Sequence, residues 1–318
     1  MITVVAIMGP TAVGKTELSL RLGKAFQGEI ISVDSRQVYR YLDIGTAKPG
    51  LEQRNQIPHH LIDVALPTEQ YTVGRFQSDA AVLISEISGR KKLPFLVGGT
   101  GLYFKAILEG FNLPGPPVNL ALRKHLMEEH EKQGGSYLYD MLARIDPETA
   151  RQIHPNDTYR IIRSLEIYKT AGIPVSLQKR KNGGAYRAIK IGLLRERDEL
   201  YRRINTRVEL MYEQNLPGEV KNLCRMGYSH GRGFQKTIGY PETLWFLMGE
   251  STLDEAKRIT AHKTRNYAKR QLTWFKREKG IRWFNLTNQP PDKIFKEIFW
   301  YIAGELKKNE NIMETREI

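Results

Sequence analysis

Ile2-Thr3-Val4-Val5-Ala6-Ile7-Met8-Gly9-Pro10-Thr11-Ala12-Val13-Gly14-Lys15-Thr16 decides the fold of this chain. Seven mostly apolar residues run into a glycine loop, and the helical pattern of Glu17 to Phe26 follows at once. An unbroken apolar run of that length is the signature of a parallel strand covered on both faces. The loop, Gly9 to Thr16, fits G-x-x-x-x-G-K-[ST] in its proper context of strand before and helix after. Its glycines let backbone N–H groups turn inward around phosphate oxygens, helped by the positive end of the helix. Lys15 reaches a terminal phosphate, and the Thr16 hydroxyl is placed to hold Mg²⁺. The loop specifies phosphate and leaves open which phosphate ester binds.

Outward from that stretch, short apolar runs alternate with amphipathic ones, the rhythm of a parallel α/β sheet. Glu29–Val33, His60–Val64 and Leu93–Val97 read as strands and Val73–Ser88 as a helix. Each strand ends in a polar or glycine loop, where open α/β sheets place their ligands. Near Asn112 to Asn119, Leu-Pro-Gly-Pro-Pro breaks the pattern, and Leu120 to Gly172 is helical in texture. A second break over Lys179 to Ala185 precedes a strand at Ala188–Leu194. The expectation is a core of residues 1–115 and 188–318 with a small helical insertion over 116–187. A short strand at Ile281–Phe284 and frayed residues from Lys307 complete the chain.

Of the 318 residues, 49 are Lys or Arg and 35 are Asp or Glu, a formal charge of +14. Such an excess calls for a polyanionic partner. Cys224 is the single cysteine, which excludes an intrachain disulfide framework and a Cys-rich zinc module. No apolar run approaches the roughly 20 residues that span a bilayer. Met1 to Met8 has no basic leader segment and reads as a buried strand, not a signal peptide. A cytoplasmic monomer is the expectation.

At the end of the second strand, Ser32-Val33-Asp34-Ser35-Arg36-Gln37 puts a carboxylate beside the phosphate loop. There Asp34 either assists Mg²⁺ or acts as a general base, or it simply caps a turn or helix. Gly98-Gly99-Thr100-Gly101 is ordinary turn chemistry in which Thr100 fixes Tyr103. Arg197 is a candidate bidentate clamp on phosphate, with a surface ion cluster among Arg195, Glu196 and Asp198 as the competing reading. His59 and His60 lack a spaced partner set for metal and read as structural, and Trp245, Trp283 and Trp300 as core or interface residues. Between Lys257 and Lys279 stand nine Lys or Arg and one acid, Glu278. Arg258, His262, Arg265 and Lys269 share one helical face, and Ala268, Leu272 and Phe275 another. Solvated faces usually mix their signs, so this one reads as a rail for a phosphate backbone.

Taken together, Gly9–Thr16, Ser32–Ser35, Asp43-Ile44-Gly45-Thr46-Ala47-Lys48-Pro49, Pro58-His59-His60 and Val97–Tyr103 resemble the bacterial tRNA dimethylallyltransferases. The match continues through His154-Pro155-Asn156-Asp157, Arg160, Arg163, Ile238-Gly239-Tyr240 and Lys269-Arg270-Gln271-Leu272-Thr273-Trp274-Phe275, in register to about residue 285. The resemblance implies a P-loop NTPase-like α/β core that moves a dimethylallyl group from dimethylallyl diphosphate to N6 of the adenosine immediately 3′ of the anticodon. It implies that Gly9, Pro10, Thr11, Ala12, Val13, Gly14, Lys15 and Thr16, with Arg197, hold the diphosphate, with Mg²⁺ at Thr16. It assigns Asp34 as the base, beside Lys15 and Thr16 as catalytic groups. It places Asp34, Ser35, Arg36, Gln37, Thr100 and Arg123 near the flipped nucleotide. Tyr159, Arg160, Arg163, Lys269, Arg270 and Gln271 join them as contacts to the anticodon stem-loop. The eukaryotic relatives' Cys/His zinc finger is missing here. The rival readings are a nucleoside or nucleotide kinase, an adenylate isopentenyltransferase acting on free nucleotide, and a non-catalytic RNA-binding NTPase-like protein.

Overall fold

Residues 1–110, 118–134, 136–178 and 184–314 are described by a computed structural model, with side chains through 308. The Leu-Pro-Gly-Pro-Pro run, the break over 179–183, Gly135 and residues 315–318 lie outside the described residues. The chain divides into two compact units, 1–108 with 185–318, and 109–184.

The larger unit is built on a six-stranded, wholly parallel sheet: β1 (Ile2–Met8), β2 (Gly28–Val33), β3 (His59–His60), β4 (Leu93–Gly98), β5 (Tyr186–Leu194) and β6 (Arg282–Asn285). Their order across the sheet is β3-β2-β4-β1-β5-β6. The pleat explains the apolar run of β1: Val4, Ala6 and Met8 enter one core and Val5 and Ile7 the other. On one face the Lys15–Ala25, Arg197–Glu213 and Pro291–Glu314 helices bring Leu22, Ile204 and Ile298. On the other, Val73–Gly89, Gly101–Leu108 and Leu216–Arg225 bring Phe76, Phe104 and Val220. Two helices feed both cores. Arg197–Glu213 gives Ile204 to one and Tyr212 to the other, and Leu253–Lys276 gives Ala268 to one and Phe275 to the other. Those two helices therefore straddle the sheet.

Several details refine the expectations from the sequence. The strand expected over His60–Val64 is only His59–His60, because Leu61 and Asp63 both take a positive φ of 59° and turn the chain out of the ladder. The smaller unit ends at 184, not 187, since Tyr186 and Arg187 already pair with Ile2 and Thr3. Trp300 is 69% exposed and Trp245 41%, which leaves the interface alternative of core or interface for these two. The last helix runs to Glu314, past the expected fraying at Lys307.

The smaller unit packs the helices Leu120–Gln133, Tyr137–Ile145, Pro147–Arg151, Thr158–Ala171 and Val175–Gln178 around Leu126, Leu138, Leu142, Ile161 and Leu165. Asn119, Asp146 and Asp157 cap three of them through their side chains. Within this core lies a carboxylate with no exposure at all, Glu166. Burial works against its charge. Hydrogen bonds from Arg123 and Arg163, at 2.9 and 2.6 Å, and from the Asn119 N–H, at 2.6 Å, outweigh that and hold it below the ordinary glutamate range. Removing one partner of a buried pair strands the others. Glu166→Ala is expected to cost about 3 kcal/mol. Hydrogen exchange should show lost protection across the 120–171 helices with the sheet amides unchanged.

Candidate active site: a cationic phosphate loop facing an aspartate

Gly14 is the N-cap of the Lys15–Ala25 helix at φ +114°, a conformation glycine adopts without strain, and no side chain caps the helix. The amides of the first turn are thus left to a ligand. Lys15 folds back over the loop, its Nζ donating to the Gly9 and Pro10 carbonyls at 2.9 and 2.7 Å.

The outer side of the loop is held by arginines. Arg195 Nε donates to the Val13 carbonyl at 3.0 Å, Arg203 Nε to the Ala12 carbonyl at 2.9 Å, and Arg207 Nη1 to the Thr11 hydroxyl at 3.2 Å. Each bond fixes one loop group outward. Lys15, Arg203 and Arg207 then share one cavity of about 560 Å³ with Thr16, Asp34 and Arg270. Burial, reinforced by Arg207 and opposed by Asp34, lowers the Lys15 ammonium to about 7. Burial and the charge of Arg203 likewise lower Arg207. The cradle has more buried positive charge than its own acids neutralise, which is the electrostatic condition of an anion site.

Arg197, expected as the clamp, is exposed and lies outside this cavity, its guanidinium 5.2 Å from the Tyr201 ring centroid. It opens its helix one residue after the N-cap Glu196. The arginines on the loop are Arg195, which the sequence reading assigned to a surface cluster, and Arg203 and Arg207. The latter two sit four residues apart on one helical face, a spacing that would have found them.

Across the cavity, Asp34 Oδ1 accepts from the backbone N–H of Arg36 at 2.7 Å and of Gln37 at 3.3 Å. One oxygen therefore makes the turn, and Oδ2 makes no hydrogen bond among the described residues. Thr100 Oγ1 accepts from the Ser35 N–H at 3.1 Å, and the Thr100 N–H donates to the Val33 carbonyl at 3.2 Å. A Cβ on Gly98 would stand 2.0 Å from the Val33 oxygen, so only glycine brings this turn so close to Asp34. Tyr267 also lines the cavity, bonded to the Thr100 side chain. Its phenol is raised to about 12 by burial and by Asp34. Ser35, Arg36 and Gln37 all line the same cavity.

A further wall is the Asp43–Ala47 stretch. Gln37 Nε2 donates to the Thr46 and Ala47 carbonyls, both at 3.3 Å. Glu219 accepts from the N–H groups of Asp43, Ile44 and Gly45 and from the Tyr240 hydroxyl, the last at 2.7 Å. Burial raises Glu219 despite these bonds. His59 and His60 have structural partners, the Ile57 carbonyl and Glu29.

Of the expected RNA contacts, Lys269 and Arg270 are exposed. Gln271 is not: it is 6% exposed and bonded within the core unit. Lys257 and Lys263 are paired with Glu209 and Glu242. On the smaller unit, Arg123 and Arg163 hold Glu166, Arg123 lies 5.6 Å from the Tyr159 ring centroid, and Arg160 pairs with Asp157 at 3.2 Å. These four are a local cluster with its own structural work.

Strand, glycine loop and helix on a parallel sheet, with a carboxylate facing the loop, define a group-transfer protein of the P-loop class. Within that class the IPP transferase model matches residues 37–278 and the isopentenyl transferase model residues 2–63. The chain is 46% identical to a tRNA dimethylallyltransferase of Halothermothrix orenii over 93% of its own length and 91% of the relative's. The full-length tRNA isopentenylpyrophosphate transferase of Bacillus halodurans superposes with a TM-score of 0.75 at 44% identity, covering 99% of this chain and all of that one. A eukaryotic dimethylallyltransferase acting on tRNA gives 0.75 at 29% identity, over 91% of this chain and 75% of that one. The chain belongs to the IPP transferase family.

A lysine at about 7 facing an anion site gives a pH signature. An anion restores the charged ammonium, so binding above pH 7 must draw in a proton. A diphosphate monoester is already ionised at pH 8. Its binding there is expected to take up about one proton per site, read by calorimetry in buffers of different ionisation enthalpy. Lys15→Met should abolish the uptake, and no uptake by the unaltered protein would contradict the assignment.

Proposed function

We propose that this protein transfers the dimethylallyl group of dimethylallyl diphosphate to N6 of the adenosine immediately 3′ of the anticodon in tRNA, releasing diphosphate. The observation that carries the reading is the opposition of a buried, cation-rich phosphate loop to the unbonded Oδ2 of Asp34 across one cavity. The allylic C–O bond breaks and its electrons leave with the diphosphate. The new bond joins that carbon to N6, and the N6 proton passes to Asp34. Negative charge grows on the leaving oxygen, which Lys15 and Arg207 of the cavity lining and the uncapped N–H groups at the start of the Lys15–Ala25 helix would stabilise. The exocyclic amine is a weak nucleophile because its lone pair is delocalised into the ring, so a base that takes its proton is useful.

Thr16 begins the helix and lines the cavity. Among the described residues no three His, Cys, Asp or Glu side chains gather to cage a metal. Mg²⁺ needs no such cage, since it takes one or two protein oxygens and completes its shell with phosphates and waters. Thr16 fits that role, and Mg²⁺ bound there would neutralise charge on the departing diphosphate.

The adenosine must leave its stack to reach Asp34. Arg36, Thr100 and Tyr267 line or border the place it would enter. The exposed Arg258, His262, Lys269 and Arg270 of the Leu253–Lys276 helix supply phosphate contacts, and Arg123, Tyr159, Arg160 and Arg163 of the smaller unit supply more for the anticodon stem-loop. A monomer in the cytoplasm is consistent with this substrate, and among the described residues no helix is long and apolar enough to cross a membrane.

Labelled dimethylallyl diphosphate and unmodified tRNA should give labelled tRNA. Asp34→Asn keeps an oxygen for the turn and loses the base, so the rate is expected to fall by about 10² or more with donor binding intact. Label entering free AMP and not tRNA, or γ-phosphate moving from ATP to a nucleoside, would overturn the proposal in favour of a free-nucleotide prenyltransferase or a kinase. Binding of tRNA should also weaken steeply with salt, measured as the slope of log K against log salt.

A further inference from the structure

We propose that Gln271 is a positioning residue that ties the diphosphate loop to the acceptor turn, holding the two halves of the site at a fixed separation. The inference rests on the reading of the two halves given above. Gln271 Oε1 accepts from the Thr11 N–H at 2.9 Å, and its Nε2 donates to the Gly99 carbonyl at 2.9 Å. One amide thus spans from the loop that grips the leaving group to the turn that carries Thr100. The chain of bonds continues without a gap, because the Thr100 N–H meets the Val33 carbonyl and Thr100 Oγ1 meets the Ser35 N–H, on either side of Asp34.

The surroundings are shaped for that amide. A Cβ on Gly99 would stand 2.1 Å from Gln271 Nε2, and one on Gly101 would stand 2.2 Å from the Trp274 ring. Both glycines let the Leu253–Lys276 helix seat directly on the turn. Gln271 is 6% exposed, with its bond to the Gly99 carbonyl buried and its bond from the Thr11 N–H at the cavity wall. The chemistry demands an uncharged side chain with an acceptor and a donor at its tip. An amide meets it in one orientation, oxygen toward N–H and nitrogen toward carbonyl. A carboxylate offers acceptors alone and would face the Gly99 carbonyl with no hydrogen.

A transfer reaction is sensitive to such a tie, since reacting groups misplaced by about 1 Å can cost on the order of 10²-fold in rate. The role therefore predicts losses in kcat more than in KM. In Gln271→Glu the cavity-lining Lys15, Arg203, Arg207 and Arg270 favour the charged carboxylate. That carboxylate still accepts from Thr11 and has no hydrogen for the Gly99 carbonyl.

Single-turnover transfer to tRNA, with both substrates saturating, is measured for the wild type, Gln271→Glu and Gln271→Met, with inorganic diphosphate binding alongside. Expected for Gln271→Glu is a rate about 10²-fold below wild type. Gln271→Met, which keeps the volume and loses both bonds, should show a similar loss. KM values and diphosphate affinity should stay within about threefold, the small change expected where uniform binding is intact. A wild-type rate in either variant, or KM and diphosphate affinity lost in step with the rate, overturns the proposal. If Gln271→Glu does not fold, the Gln271→Met rate decides alone. Failure of the wild type to prenylate tRNA would instead overturn the reading of the site, a distinct result.

Discussion

Uncompensated positive charge inside the phosphate cradle is the constraint on which the rest of the structure depends. Lys15, Arg203 and Arg207 crowd one cavity, and burial together with their mutual repulsion pushes Lys15 and Arg207 below their ordinary values. A fold accepts that cost where a ligand later relieves it. Carbonyl groups of Gly9 to Val13 do part of the relieving, since they accept from Lys15, Arg195 and Arg203. Acids do little of it, because the nearby buried carboxylates are committed elsewhere. Glu219 serves the N–H groups of Asp43 to Gly45, and Glu242 serves Gly239 and Lys263. Asp34 faces the cradle with one oxygen spent on its own turn, and the exposed Glu17 lines the same cavity.

That arrangement needs elements from both sides of the sheet to meet over its end. A parallel sheet alone delivers only loops: the phosphate loop after β1, the Asp34 turn after β2 and the glycine turn after β4. Three loops on separate strands have no intrinsic reason to hold a fixed spacing. The two straddling helices supply it. Arg197–Glu213 grips the phosphate loop with Arg203 and Arg207, and Leu253–Lys276 lays Gln271 and Tyr267 against the loop and the Thr100 turn. Both helices are anchored in the two cores at once, so their position follows the packing of the whole unit.

What the sequence made legible was whatever is encoded locally. The β1 run, the loop, the strands before Asp34 and Gly98, and the helical character of the insertion all follow from periodicity and turn chemistry within a dozen residues. The miss at Arg197 is of another kind. All the arginines from 195 to 207 look alike in a string, and only the start of the helix at 197 decides which of them turn toward the loop. The resemblance groups Gln271 with Lys269 and Arg270 as RNA contacts, yet a helix turns by about 100° per residue. One step carries the chain from an exposed cation to a buried amide. The insertion arginines show the same limit, for Arg123 and Arg163 meet Glu166 only through the tertiary fold.

The same reasoning changes what the formal charge of +14 means. The basic stretch from Lys257 to Lys279 suggested a uniform rail, but Lys257 and Lys263 are bound to Glu209 and Glu242 and help fasten the helix to its neighbours. The outward charge of this stretch is carried by Arg258, Lys269, Arg270, Lys276, Arg277 and Lys279. Lys15 and Arg207 line the cavity together with the more exposed Arg203. Exposed cations act through solvent and are screened within a Debye length, whereas the buried ones are shielded from salt by the protein around them. One net charge thus divides into two instruments with different physics. In the proposed reaction the exposed set would attract a large polyanion at long range and give it up readily. The cavity set would grip a diphosphate at contact, where the leaving group's charge would appear.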